Sequence, residues 1–135
     1  MNTVFVDTSG WLAIVHRPDS LHIKAREIYS RLLAAEARFA VHEGILLELG
    51  NALSGFKTRD KVIELKENII SSPRIDCISL STELVDAGWR LFEERPDKEW
   101  GRVDCISFVL MKRRNISEAL TADKHFEQAG FVKLL

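Results

Sequence analysis

Four acidic residues stand where carboxylates can do chemistry rather than merely solvate a surface. Asp7 ends the apolar run Val4-Phe5-Val6, and Asp123 follows Ala119-Leu120-Thr121-Ala122. Asp104 lies at the start of the apolar stretch from Val103 to Arg113. Glu48 sits among leucines, in Leu46-Leu47-Glu48-Leu49, where a lone carboxylate is costly to bury unless something pairs with it. Asp and Glu clustered without matching bases suit a hard cation. Mg²⁺ and Mn²⁺ prefer oxygen ligands, and Mg²⁺ keeps several waters. Such an ion activates water and neutralises a phosphate during its transfer. Each residue also has a plain structural reading. Asp7 serves as a turn or helix cap, Asp104 and Asp123 as N-caps, and Glu48 as a surface residue whose stem lies along an apolar face. Spacing alone leaves both readings open.

Whether the four meet depends on the elements that carry them. Val4-Phe5-Val6 reads as a strand ending in a turn or cap at Asp7-Thr8-Ser9-Gly10. Leu21 to Glu36 has near-helical apolar spacing, with Asp19 or Ser20 as its cap. Arg38 to His42 reads as a second strand, Ile45 to Leu53 as a helix, and Lys57 to Ile70 as a charged helix stopped by Ser72-Pro73. Ile75 to Ile78 is a third strand. Ser81 or Thr82 caps a helix through Phe92, and Pro96-Asp97-Lys98 is a break. Val103 to Arg113 is a helix whose basic end suits the helix dipole. Ile116 to Thr121 is a fourth strand, Asp123 to Ala129 a short helix, and Phe131 to Leu134 a last edge strand. Strands alternating with helices signify an α/β fold with a mainly parallel sheet. Ligands of such sheets bind outside the carboxyl ends of the strands. Asp7, Asp104 and Asp123 are all expected at that edge.

Composition bounds the rest. The chain has 135 residues, 46% hydrophobic and 29% charged, which fits one compact globular domain. No apolar stretch approaches the roughly 20 residues of a membrane helix. The start, Met1 to Asp7, lacks the basic region of a signal peptide, so a cytoplasmic setting is expected. Nineteen Lys and Arg against twenty Asp and Glu give a net charge of −1, so any nucleic-acid binding must come from a local patch. Cys77 and Cys105 read as buried free thiols. Position 46 is Leu, so His42-Glu43 does not begin a zinc-protease motif, and phosphate-binding glycine loops and a nucleophile elbow are absent. A dehalogenase-type phosphatase needs a second Asp at position 9, which is Ser. A phospho-receiver domain needs an acidic pair before the first loop, and here the first strand ends in one Asp.

The acidic residues also carry a resemblance. Val6-Asp7-Thr8-Ser9, Glu48 in Leu47-Glu48-Leu49, Asp104-Cys105-Ile106-Ser107-Phe108 and Leu120-Thr121-Ala122-Asp123-Lys124-His125-Phe126 resemble, in order, the motifs of the PIN-domain family. Asp97-Lys98-Glu99-Trp100 and the ending Gly130-Phe131 fit too. The resemblance spans essentially the whole chain and is nearest to the VapC-type ribonuclease toxins of toxin–antitoxin pairs. It implies a single PIN-like domain over residues 1–135, a three-layer α/β/α sandwich around a mainly parallel sheet. It implies that Asp7, Glu48, Asp104 and Asp123 bind Mg²⁺ or Mn²⁺ and hydrolyse RNA phosphodiesters, leaving 5′-phosphate and 3′-hydroxyl ends. Asp7 and Asp104 would be the most direct ligands. Glu48 would ligate the metal or orient a water, and Asp123 would complete the site or bind a second ion. The implied partners are RNA, a cognate antitoxin protein that blocks the site, and a second copy of the chain. Apolar helices such as Ile45 to Leu53 could serve that homodimer.

Some residues depart from the family pattern or stand beside it. His42-Glu43 replaces a hydroxyl pair after the second strand, and Gly101 replaces a small hydroxyl residue. Thr8 and Ser9 are retained and are expected, with Lys98 and Arg102, to contact substrate. His125 reads as a helix-surface histidine, with RNA contact the alternative. Trp11, Trp89 and Trp100 read as core. The rival to a nuclease is a catalytically idle PIN-like module that binds RNA or protein.

Overall fold

β-branched and aromatic residues form the strands because their side chains pack well on a pleated, buried surface. β1 (Thr3–Val6) shows this most clearly: Val4, Phe5 and Val6 have no solvent exposure. The computed structural model describes residues 2–135, and Met1, the first residue of the expected 1–135 domain, lies outside the described residues. After β1 come α1 (Thr8–Val15), α2 (His22–Ala34), β2 (Arg38–His42), α3 (Glu43–Ala52) and α4 (Arg59–Ser71). Then follow β3 (Ile75–Ile78), α5 (Thr82–Glu94), α6 (Arg102–Arg113), β4 (Glu118–Leu120), α7 (Lys124–Gln128) and β5 (Val132–Lys133).

The five strands lie in the order β3-β2-β1-β4-β5, and every pairing is parallel. Parallel neighbours need crossover connections, and these are right-handed. The chain winds outward from β1 to β3 through α1–α4. It then returns to the other side of β1 through α5 and α6. Reversing direction puts the two helix sets on opposite faces of the sheet. The contacts agree: α1 packs on α2 and α3, and α3 on α4, while α6 packs on α5 and α7. The result is the α/β/α sandwich expected from the sequence. The reversal also leaves a crevice at the carboxyl ends of β1 and β4, the usual ligand position in open parallel sheets.

Local differences from the sequence reading have plain causes. Of the two readings at Asp7, the helix cap holds: Asp7 accepts Gly10 N–H at 2.9 Å and starts the helix Thr8–Val15. Helix α3 begins two residues before Ile45 because the His42 ring caps it. Asp19 does not cap α2 directly; it accepts Leu21 N–H at 2.8 Å in the preceding turn. Strand β4 is shorter than Ile116–Thr121 because its pairing with β1 spans only Glu118 to Leu120. Trp11 and Trp100 are core as expected. Trp89 is not: it is 39% exposed on α5, edge-on to Phe92. Both cysteines are free, Cys105 buried and Cys77 half-buried.

Gly10 lets α1 start tight against the sheet. A Cβ there would lie 2.0 Å from the Leu120 carbonyl oxygen, closer than any real contact. Gly50, also helical, has open space around its Cβ position. Gly10→Ala is therefore expected to destabilise the protein by about 4 kcal/mol or more, the range of severe backbone clashes. Gly50→Ala should stabilise it by up to ~1 kcal/mol through helix propensity. Urea unfolding of both variants checks this; equal effects would mean α1 can move away from β4 without cost.

Candidate active site

The register of β1 and β4 builds the centre of the site. Val6 pairs with Leu120, so the next residues, Asp7 and Thr121, leave the sheet side by side. The Thr121 hydroxyl donates to Asp7 Oδ2 at 2.8 Å. Asp7 Oδ1 accepts the Ser9 hydroxyl at 2.8 Å and Gly10 N–H at 2.9 Å. Ser9 in turn accepts Ala122 N–H at 2.9 Å, which ties α1 to the segment after β4. Asp7 is only 6% exposed. Burial dominates over these hydrogen bonds and pushes its carboxyl up from 3.8 to about 6, and nearby Asp123 pushes the same way.

The other acids arrive by separate routes. Asp104 occupies the first turn of α6, where its Oδ2 accepts Gly101 N–H at 3.1 Å. The carboxylate thus satisfies the N–H of Gly101, the residue at the N-cap, which has no side chain of its own to cap the helix. Asp123 caps α7, its Oδ1 accepting His125 N–H at 2.9 Å. Glu48 projects from the middle of α3 and accepts the Thr8 hydroxyl. Burial raises the carboxyls of Glu48 and Asp104 above their ordinary values. Asp104 adds to the rise at Glu48, and Asp123 to the rise at Asp104. Asp7, Thr8, Ser9, Glu48, Asn51, Asp104 and Asp123 line one open cleft of about 650 Å³. Capping and convergence are therefore compatible: the same carboxylates that start α1, α6 and α7 share the cleft.

Lys98 and Arg102 are not in the lining of this cleft. Arg102 opens α6, and its guanidinium lies 5.1 Å from the centre of the Trp89 ring. Thr8 and Ser9 line the cleft, with their hydroxyls engaged on Glu48 and Asp7. Three further residues belong to the site, two of them with no role in the sequence analysis and one, His125, read there as a surface histidine. Thr121, fully buried, was legible only as part of a motif. Asn51 follows Glu48 by three positions, a helical spacing that places both on one face. His125 is no surface histidine: its side chain is 20% exposed, and Nδ1 lies 3.3 Å from Asp123 Oδ1 and 3.4 Å from Asp104 Oδ2. Its place two residues after Asp123 was the available signal.

His42 does a different job. Its Nδ1 accepts Gly44 N–H at 3.0 Å, so the proton sits on Nε2, which donates to Ser107 Oγ at 2.9 Å. Ser107 donates onward to the Val103 carbonyl at 2.9 Å. This neutral chain joins the end of β2 to α6, one turn beyond Asp104. Burial lowers the ring's pKa from 6.5 to about 4. Glu43 accepts Leu80 N–H at 2.9 Å.

Fold and acids together define a class: residues 4–132 match the PIN-domain family model, and the chain belongs to the PIN-domain family. Within it, the chain is similar to the 23S rRNA-specific endonuclease VapC20 of Mycobacterium tuberculosis, at 25% identity over 131 residues and 97% of each chain. The crystal structure of that protein, described as a sarcin-ricin loop cleaving toxin, matches with a TM-score of 0.84 over 96% of this chain and 97% of its own. VapBC2 from Rickettsia felis, bound to a DNA fragment from its promoter, shares the fold at 16% identity. Its TM-score is 0.68, over 97% of this chain and 96% of that one.

The two buried groups oppose each other in acid. Below pH 6.5 the unfolded chain protonates His42 while the folded chain resists until about 4, so this contribution to stability is lost as pH falls through that window. Asp7 acts the other way: between 3.8 and about 6 the folded chain holds the additional proton, so its contribution is lost as pH rises. Asp7→Asn removes the second effect. In chelator, the variant's melting temperature should climb more steeply from pH 4 to 6.5 than the wild type's. Parallel curves would show that Asp7 is not held up in the free protein.

Proposed function

We propose that this chain is a metal-dependent endoribonuclease, the toxin of a toxin–antitoxin pair. The observation that carries the reading is the convergence of Asp7, Glu48, Asp104 and Asp123 on one cleft at the reversal point of the sheet. The donor chemistry fits a divalent ion, because carboxylates from separate elements approach one another and, among the described residues, no lysine or arginine lines the cleft to neutralise them. Asp7, Asp104 and Asp123 would hold the ion, with Glu48 as a further ligand or as the residue that orients a water. Bound Mg²⁺ or Mn²⁺ would supply an activated water and neutralise charge on the phosphate.

The protein's own groups do the positioning. Ser9, Thr121 and Gly10 N–H fix both oxygens of Asp7, so its ligand direction is set before any ion arrives. Thr8 holds Glu48 across the cleft from α1. Asp7, Glu48 and Asp104 take up protons more readily than ordinary carboxylates while the ion is absent, and an ion must displace those protons to bind. Arg102 and Lys98 are the cations assigned to flanking phosphates; an acidic site repels RNA without them. The likeness to VapC20 makes structured ribosomal RNA the first substrate to try. A cognate antitoxin, a second copy of the chain and a cytoplasmic setting belong to the same reading. Ile45, Leu49 and Leu53 are buried in this chain's own core. Leu47, 66% exposed, is the large apolar side chain which that helix leaves free for a partner.

Incubating the protein with ribosomal RNA and with small structured RNAs, in Mg²⁺, Mn²⁺ or EDTA, tests the reading. Cleavage should require metal and leave 5′-phosphate ends. Asp7→Asn and Asp104→Asn should each reduce it by more than ~100-fold, because losing even an outer partner of a metal ligand costs roughly that. RNA binding without cleavage, indifferent to metal and to both substitutions, would instead identify an idle binding module.

A further inference from the structure

The imidazole of His125 faces two of the acids. Its Nδ1 is 3.3 Å from Asp123 Oδ1 and 3.4 Å from Asp104 Oδ2. One donor atom from each of the three residues fits within a 4.8 Å span. Two donors bonded to a common ion at about 2.1 Å lie about 3.0 Å apart at right angles and about 4.2 Å apart when opposite. The two separations from His125 to the carboxylates fall between those limits.

The ring is held there independently of any ion. The His125 backbone N–H is bonded to Asp123, which fixes the start of α7. The next residue, Phe126, is fully buried, stacked on Phe5 and edge-on to Phe108. Phe108 lies on α6 one turn beyond Asp104, so the same aromatic contact sets α7 against the helix that presents Asp104. Among the described residues, no protein group hydrogen-bonds His125 Nε2. The ring is thus not committed to a partner on its far side.

We propose that His125 is a direct ligand of the ion, through Nδ1, and that it biases this cleft toward d-block divalent ions over Mg²⁺. The inference rests on the metal-dependent reading above and adds to it a ligand and a selectivity. Mg²⁺ favours oxygen donors and gives up its waters reluctantly, so a fixed imidazole contributes little to holding it. Imidazole suits the d-block ions, and affinity at a nitrogen–oxygen site rises from Mn²⁺ to Co²⁺. The expected order is Co²⁺ above Mn²⁺ above Mg²⁺.

The test is calorimetric titration of the whole chain with Mg²⁺, Mn²⁺ or Co²⁺. Wild type, His125→Ala, His125→Asn and Asp104→Asn are compared, with circular dichroism to confirm that each is folded. His125→Ala should weaken Co²⁺ binding by ~10-fold or more, weaken Mn²⁺ binding less, and leave Mg²⁺ binding unchanged. His125→Asn, which offers an amide oxygen, should narrow the gap between Co²⁺ and Mg²⁺. The visible absorption of bound Co²⁺ should change in both histidine variants. Equal loss for all three ions would make His125 a positioning residue and overturn the proposal. Unchanged Co²⁺ affinity and spectrum, with binding still lost in Asp104→Asn, would overturn it while leaving the metal-dependent reading intact. A wild type that binds none of the three ions would overturn both.

Discussion

Like charges repel, and burial strengthens the repulsion, yet this fold gathers carboxylates at one edge of its sheet. What makes that arrangement possible is that three of them start helices. Asp7, Asp104 and Asp123 each accept a backbone N–H in a first helical turn, where unpaired donors and the helix dipole favour negative charge. The compensation is incomplete. Asp7 still sits near 6, and Glu48 and Asp104 remain raised. The raised carboxyls mark electrostatic tension in the site, which a bound divalent cation would relieve. Stability and function therefore pull on the same side chains: the groups that cap the helices are those assigned to the metal.

Parallel topology is what brings those helix starts together. In a parallel sheet every helix that precedes a strand runs back antiparallel to it, so helices following a strand begin at the carboxyl edge. Reversal of strand order at β1 then opens a crevice beyond the carboxyl ends of β1 and β4. Gly10 sets how tightly α1 can approach β4, and Thr121, fixed by the strand register, grips the far oxygen of Asp7. A one-residue slip in that register would turn Thr121 away and leave Asp7 buried with an unmatched lone pair.

The His42 chain explains one departure of this sequence from the family pattern. A hydroxyl pair at that place could face the cleft, whereas His42 is fully buried and its ring spans from α3 to α6. Its replacement of a hydroxyl does not remove a group from the acids. It anchors the helix that presents Asp104. Gly44 belongs to the same unit, because a Cβ there would lie within 2.8 Å of the ring. The unit is local and rigid, and its polar atoms are satisfied, as a buried polar network requires.

Much of this was legible from the chain alone. Strand β2 from Arg38 to His42 and strand β3 from Ile75 to Ile78 follow directly from short apolar, β-favouring runs. Hydrophobic spacing located the longer helices, and the order of the acidic motifs indicated the family. These are properties of neighbouring residues and of their order, which is what a sequence records. The tertiary structure decided the rest. Trp89 looked like core because it is large and apolar, yet α5 turns it to solvent. His125 looked like surface because it is polar in a short helix, yet Phe126 draws that helix inward and sets the ring among carboxylates. Thr121 and Gly10 matter through contacts with residues more than a hundred positions away. Which residues touch depends on strand order, register and the direction each helix faces, and those follow from packing the whole chain at once. The sequence determined which chemistry was available, and the packing decided which side chains would share it.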